Sequence, residues 1–61
     1  MKVGDVVQIN DLCVMTRLHG AIGTVIEGPF YEKTAPWAMI RVLVDGELLK
    51  FRQGDAQLEI I

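Results

Sequence analysis

The chain has 61 residues, of which 51% are hydrophobic and 23% are charged, and its formal net charge is −2 at neutral pH. This length allows one domain, residues 1–61, and leaves too few residues to enclose a substrate, so we expect no enzymatic activity, no small-molecule substrate and no cofactor. The apolar fraction excludes intrinsic disorder, and the lack of a run of about 18 apolar residues argues against a membrane-spanning segment. The acidic balance also disfavours general nucleic-acid coating.

β-Branched residues and closely spaced glycines predict five short strands and no long helix. The predicted strands cover residues 3–9, 21–27, 37–44, 47–52 and 58–61. Residues 10–19 form a predicted first loop, residues 28–36 a second loop that begins at Gly28-Pro29, and residues 53–57 a tight turn. Five strands in so short a chain predict an all-β fold closed into a small barrel, because closure removes the exposed edges of a lone sheet.

The dipeptide Asp45-Gly46 predicts a two-residue type I′ turn, which fixes the register of the strands on either side. Counting outward from it, one face is mostly apolar and is assigned to the core: Ile40, Val42, Val44, Glu47, Leu49 and Phe51. The other face carries three apolar and three basic residues: Met39, Arg41, Leu43, Leu48, Lys50 and Arg52. On this second face the register sets Arg41 directly opposite Lys50, a repulsive pair unless something neutralises it.

Three interpretations of this second face stay open. In the first, the face is merely solvated, with aliphatic stems covering the leucines and Glu27 or Glu59 neutralising the cations. In the second, it contacts a protein partner or a second copy of the chain, because apolar residues beside a basic stripe are typical of a contact surface. The surplus of apolar positions elsewhere, including Val6 and Ile26, also suggests a partner or self-association. A nucleic-acid site would instead use the basic residues Arg17, Arg41, Lys50 and Arg52.

Three of the four aromatic residues, Phe30, Tyr31 and Trp37, bracket the second loop. They form either a small satellite core that pins the loop or a contact site with Tyr31 and Trp37 as its anchors.

Residues that could act in catalysis or bind a metal are few. Cys13 and His19 are the only soft metal ligands, a structural zinc site requires four ligands, and the chain has no serine. We therefore predict no catalytic residue and no metal site, and the single cysteine fits a reducing, cytoplasmic setting.

A resemblance to a known family rests on two glycine-containing segments, the hairpin and the closing strand. The segments read Gly4-Asp5-Val6-Val7-Gln8-Ile9, Gly20-Ala21-Ile22-Gly23-Thr24-Val25-Ile26-Glu27 and Leu58-Glu59-Ile60-Ile61. This pattern resembles SH3-like barrels of the KOW kind, which occur in ribosomal proteins and transcription elongation factors. It is also similar to small accessory subunits of electron-transfer complexes and to short phage-encoded proteins.

The resemblance implies a five-stranded SH3-like barrel in which the Gly20-x-x-Gly23 motif permits close backbone approach. It also implies one of two functions. The first is an interaction module that docks onto a larger assembly, such as a phage structural or host-directed protein in the cytoplasm or the virion. The second is a KOW-like RNA- or DNA-binding module that uses positions 10–19 and 21–24. The initial Met1 and the apolar end of the chain suggest a complete small gene product.

Overall fold

The computed structural model describes residues 1–61 and contains five antiparallel strands in one sheet. These are β1 (Val6–Ile9), β2 (Ile22–Tyr31), β3 (Ala38–Val44), β4 (Glu47–Arg52) and β5 (Leu58–Ile60), arranged in the order β4-β3-β2-β1-β5. One 3₁₀ turn, Thr16–Leu18, interrupts the first loop. The all-β prediction and the number of strands are confirmed. Strands β4 and β5 form the two ends of the sheet and do not pair with each other, so closure into a barrel stays a prediction.

The core is a single cluster of ten buried hydrophobic residues, drawn from every strand and from the first loop. They are Val7, Ile9, Cys13, Leu18, Val25, Ile40, Val42, Val44, Phe51 and Leu58. Side chains of the two end strands share this cluster, and no second layer covers the sheet. The sheet must therefore curve around its own core, with the first loop adding Cys13 and Leu18. The outer side of the sheet faces solvent.

The predicted hairpin register is confirmed pair by pair from Met39 with Arg52 to Val44 with Glu47. Asp45 and Gly46 both have positive φ, at 50° and 77°, as a type I′ turn requires. Because side chains alternate along a strand, the register separates the predicted core face from the basic face. Ile40, Val42 and Phe51 are buried accordingly.

The predicted end of the second strand at Glu27 is wrong, since β2 continues to Tyr31. Its pairing with β3 shifts twice, once between Val25 and Glu27 and again between Glu27 and Phe30. Each shift is a β-bulge that absorbs an extra residue, and the Gly28–Pro29 peptide, which is cis, lies in the second one. Proline lacks a donor and is tolerated in strands at bulges, so the dipeptide bends the strand without ending it.

The other boundaries differ by smaller amounts. Strand β1 begins at Val6 rather than at residue 3, because the Asp5 N–H closes a turn by donating to the Lys2 carbonyl at 3.1 Å. Strand β3 begins one residue later than expected, at Ala38, and β5 ends one residue earlier, at Ile60. The second loop therefore shrinks from residues 28–36 to residues 32–37.

Of the two glycines in the motif, only Gly23 lies where strands approach closely; a Cβ atom on Gly20 would meet nothing within 4 Å. A Cβ atom on Gly23 would lie 2.6 Å from Val42 Cγ1 and 2.6 Å from Val44 Cγ2. Those distances are far inside van der Waals contact, so any larger residue at this position would displace side chains of the core. Val7 and Val25 lie in the same core.

Candidate interaction face

The outer face is the side of the sheet that points away from the core. It carries all six residues of the predicted basic face of the hairpin: Met39, Arg41, Leu43, Leu48, Lys50 and Arg52. Arg41 lies directly opposite Lys50, and Leu43 directly opposite Leu48. The predicted grouping of three cations with three apolar residues on one side of the hairpin is therefore present.

An apolar row crosses this outer face at right angles to the strands. The register joins Leu48 to Leu43, Leu43 to Thr24 and Thr24 to Val6. Beyond β1, the Ile61 N–H donates to the Val6 carbonyl at 3.0 Å and extends the row. Leu43 is 40% exposed and Leu48 is 58% exposed. The row thus leaves aliphatic side chains in solvent on both sides of Thr24, which is its member on β2. The sequence reveals only the hairpin part of the row, since cross-strand register decides the rest.

Both opposed cations of the hairpin form ion pairs with carboxylates from outside it. Arg41 Nη1 donates to Glu27 Oε1, and Lys50 Nζ donates to Glu32 Oε2 at 2.9 Å. The first bulge in β2 sets Glu27, in place of Ile26, opposite Arg41. One interpretation of this face anticipates that Glu27 neutralises Arg41, and the two form this ion pair. The carboxylate relieves the repulsion between Arg41 and Lys50.

Glu59, the other carboxylate expected to neutralise these cations, does not reach them. It accepts a hydrogen bond from the Asn10 side chain at 3.1 Å instead. Lys50 pairs with Glu32 in the loop after β2, because the prolonged β2 carries that residue to the β4 side of the sheet. The sequence offers no local signal for this pairing of residues 18 positions apart.

Arg52 is the hairpin cation that forms no ion pair, since all four salt bridges involve other residues. Its guanidinium lies 5.2 Å from the centre of the Trp37 ring, and that of Arg41 lies 4.7 Å from the Phe30 ring. These contacts are cation–π interactions, which hold the guanidinium groups against aromatic faces.

The two predicted aromatic anchors are not brought together. Trp37 contacts Arg52 on the outer face. Tyr31 pairs with Ala38, next to the pair of Phe30 with Met39. Because neighbouring pairs of a ladder point to opposite faces and Met39 lies on the outer face, Tyr31 points to the other side of the sheet. Tyr31 is 77% exposed and Trp37 is 46% exposed, so these side chains do not form a satellite core either.

Arg17, the remaining cation of the nucleic-acid alternative, lies away from the other three. Its guanidinium donates two hydrogen bonds to the Glu47 carboxylate, both at 3.1 Å. These bonds and the negative charge of Glu47 raise the pKa of Arg17 above its ordinary value. Three of the four candidate phosphate-binding residues are therefore already paired with carboxylates.

Cys13 and His19 come together, but not as a nucleophile and its base. His19 Nε2 lies 2.6 Å from the Cys13 carbonyl oxygen, to which its N–H donates, and the Cys13 thiol is buried in the core. Such contacts hold the first loop in shape. No group of three His, Cys, Asp or Glu side chains is arranged to hold a metal ion.

Comparison of the chain with protein-family models, with curated proteins and with solved structures found no match. The structure contains no helix with the length and hydropathy that crossing a bilayer requires.

Proposed function

We propose that this chain is a non-enzymatic interaction module that docks onto a larger protein assembly through its outer face. The observation that carries the proposal is the apolar row, in which Leu43 and Leu48 lie exposed and directly opposite each other although the core is already filled by other residues. Contiguous apolar surface of this kind on a small soluble domain marks a contact site.

The charges beside the row favour a protein partner over nucleic acid. Affinity for a phosphate backbone comes from cations that exchange their counterions for phosphates. Here Arg41 and Lys50 are neutralised by Glu27 and Glu32, so that the face offers apolar side chains bordered by mixed charge. A dry apolar centre with a polar rim is the usual composition of a protein–protein contact.

The assembly onto which the module docks is proposed from resemblance. The glycine motif, the Asp-Gly turn and the closing Leu58-Glu59-Ile60 are similar to those of short phage-encoded proteins. On that basis the assembly is a phage structural or host-directed complex, in the cytoplasm or in the virion. The proposed fold is an SH3-like barrel, which the strand order β5-β1-β2-β3-β4 supports.

The test is a pull-down with an affinity-tagged chain from lysate of the native source, followed by mass measurement of the captured species. We expect a defined protein partner to be retained by the natural chain and lost on the double substitution Leu43→Glu, Leu48→Glu. The reason is that docking would bury two carboxylates in the apolar centre of the contact, at a cost of several kcal/mol.

The control is Leu12→Glu, which places one such carboxylate on an exposed leucine of the first loop, away from the outer face. Retention of the same partner by the double variant, or its loss in the control as well, would contradict the proposal. If nucleic acid is captured instead, with retention that falls steeply as salt rises, the RNA- or DNA-binding alternative replaces it.

A further inference from the structure

Strand β4 forms one end of the sheet, and half of its backbone groups point away from β3; of these, only the Arg52 carbonyl has a partner, the Asp55 N–H at 3.0 Å. In a hairpin closed by a two-residue turn, residues 44 and 47 exchange backbone hydrogen bonds, as does every second pair along the ladder. The bond from the Gln53 N–H to the Ala38 carbonyl, at 2.8 Å, continues this alternation. The N–H and C=O groups of Leu48 and Lys50 therefore point away from β3, and none of the turn or loop hydrogen bonds uses them.

A cavity of about 370 Å³ lies against this free edge. Four consecutive residues of β4, 49–52, line it together with Met39 of β3 and with Asp55 and Gln57 of the following turn, so the cavity lies beside the last four residues of β4. Cys13, Val14 and Met15 of the first loop form the opposite wall. Its volume falls within the range of ligand-binding clefts, about 300–1,000 Å³.

The first loop runs beside β4 without pairing with it. The only hydrogen bonds between residues 10–19 and β4 are those of Arg17 with Glu47, where the strand begins. Val14 is 91% exposed, and Met15 is also exposed. An extended segment entering between loop and strand would find unpaired backbone groups on one side and unburied aliphatic side chains on the other.

The charged residues at the cavity indicate which side chains such a segment would carry. Lys50 and Arg52 line the cavity and project on the outer face; Lys50 already pairs with Glu32, whereas Arg52 has no carboxylate partner. The one acidic group of the cavity wall, Asp55, already accepts hydrogen bonds from the Gln57 backbone and side chain. In a sheet, a residue paired with Arg52 projects on the same face as Arg52, so an acidic side chain there forms a cross-strand ion pair.

We propose that the β4 edge binds an extended peptide segment of a protein partner as an added strand, with alternate aliphatic and acidic side chains. The aliphatic side chains enter the cavity, and the acidic ones lie on the outer face, where one of them pairs with Arg52. Backbone hydrogen bonds to Leu48 and Lys50 supply affinity, and the alternation supplies specificity. This edge site does not depend on docking through the apolar row of the outer face.

The test is an NMR titration of the intact chain with the capped peptide acetyl-Thr-Val-Glu-Val-Glu-Val-Thr-amide. In the free chain we expect fast amide exchange at Leu48 and Lys50 and slow exchange at Leu49 and Phe51. Bound peptide must slow exchange at Leu48 and Lys50. The same peptide N-methylated at both glutamates must bind at least about tenfold more weakly, because methyl groups on the N atoms that point at β4 block the backbone pairing of an added strand.

Two variants and one control complete the test. Val14→Asp and Arg52→Gln, both at exposed positions, must each weaken peptide binding by about threefold to tenfold. Val6→Glu alters the apolar row in β1, which two strands separate from β4, and must leave peptide affinity unchanged, which separates this site from the docking face. The proposal is overturned if the peptide does not bind, or if it binds without slowing exchange at Leu48 and Lys50. It is also overturned if these amides become protected in concentrated protein alone, since a second copy would then occupy the edge.

Discussion

Gly23 is the residue at which local sequence and tertiary packing constrain each other most tightly. It is buried in β2, and the side chains of Val42 and Val44 fill the space where its Cβ atom would be. Its φ is not in the left-handed region, so the requirement for glycine comes from space and not from backbone conformation. Close approach of β2 to β3 at this point lets the sheet curve around its core.

We therefore predict that Gly23→Ala lowers the free energy of unfolding by about 1–3 kcal/mol, the usual range for overpacking a core. Urea titration followed by far-UV circular dichroism measures the loss. Combining the substitution with Val44→Ala, which removes one of the two clashing methyl groups, must recover part of it in a double-mutant cycle. Purely additive effects would show that the clash is not the cause.

The geometry of the hairpin is set locally, whereas that of the bulged strand β2 is set by the strand it pairs with. The register of the hairpin follows from its own two-residue turn, in which Asp45 and Gly46 have positive φ. Strand β2 is defined by its partner, since its ten residues fit the seven of β3 only with two register shifts. The shifts set Glu27 beside Arg41 and bring Phe30 opposite Met39, and so they determine the charge and shape of the outer face.

At the turn, we predict that Gly46→Ala lowers the free energy of unfolding by about 1 kcal/mol, because the Cβ atom of alanine is sterically disfavoured in the left-handed conformation. No atom lies within 4 Å of the added Cβ, so the effect is one of the backbone alone. Gly46→Asn is the matched control, since asparagine tolerates this conformation better and must lose less stability. Thermal unfolding measures both, and an equal loss in the two variants would argue against a type I′ turn.

For the whole molecule, a core of only ten residues makes stability sensitive to conditions, acid in particular. The Lys2 backbone N–H donates to Asp5 Oδ2 at 3.0 Å, and Lys2 Nζ donates to Oδ1 at 3.2 Å. These bonds hold the pKa of the Asp5 carboxyl below its ordinary value. They close the turn that attaches the N-terminal segment to β2, where the Gly4 N–H donates to the Val25 carbonyl at 2.8 Å.

A group whose pKa is lowered on folding adds stability above its unfolded pKa, and that stability is lost as pH falls through the folded pKa. We predict that, below about pH 4, the midpoint temperature of unfolding falls more steeply with pH for the natural chain than for Asp5→Asn, which lacks the titrating group. At pH 7, where the Asp5 carboxylate is ionised, the natural chain must be the more stable of the two. Asp11→Asn, at an exposed carboxylate without an ion pair, is the control and must follow the natural chain.

The amino-acid sequence alone predicts the number of strands, the turn at Asp45-Gly46 and the division of the hairpin into a core face and a basic face. These follow from contacts between near neighbours, namely alternation along a strand and the conformational demands of two turn residues. Tertiary structure alone decided that β2 passes through Gly28-Pro29, that Lys50 pairs with Glu32 and that a cavity opens between the first loop and β4. Those features depend on how distant segments are aligned, and a bulge that shifts the register by one residue leaves no local pattern from which that alignment can be read.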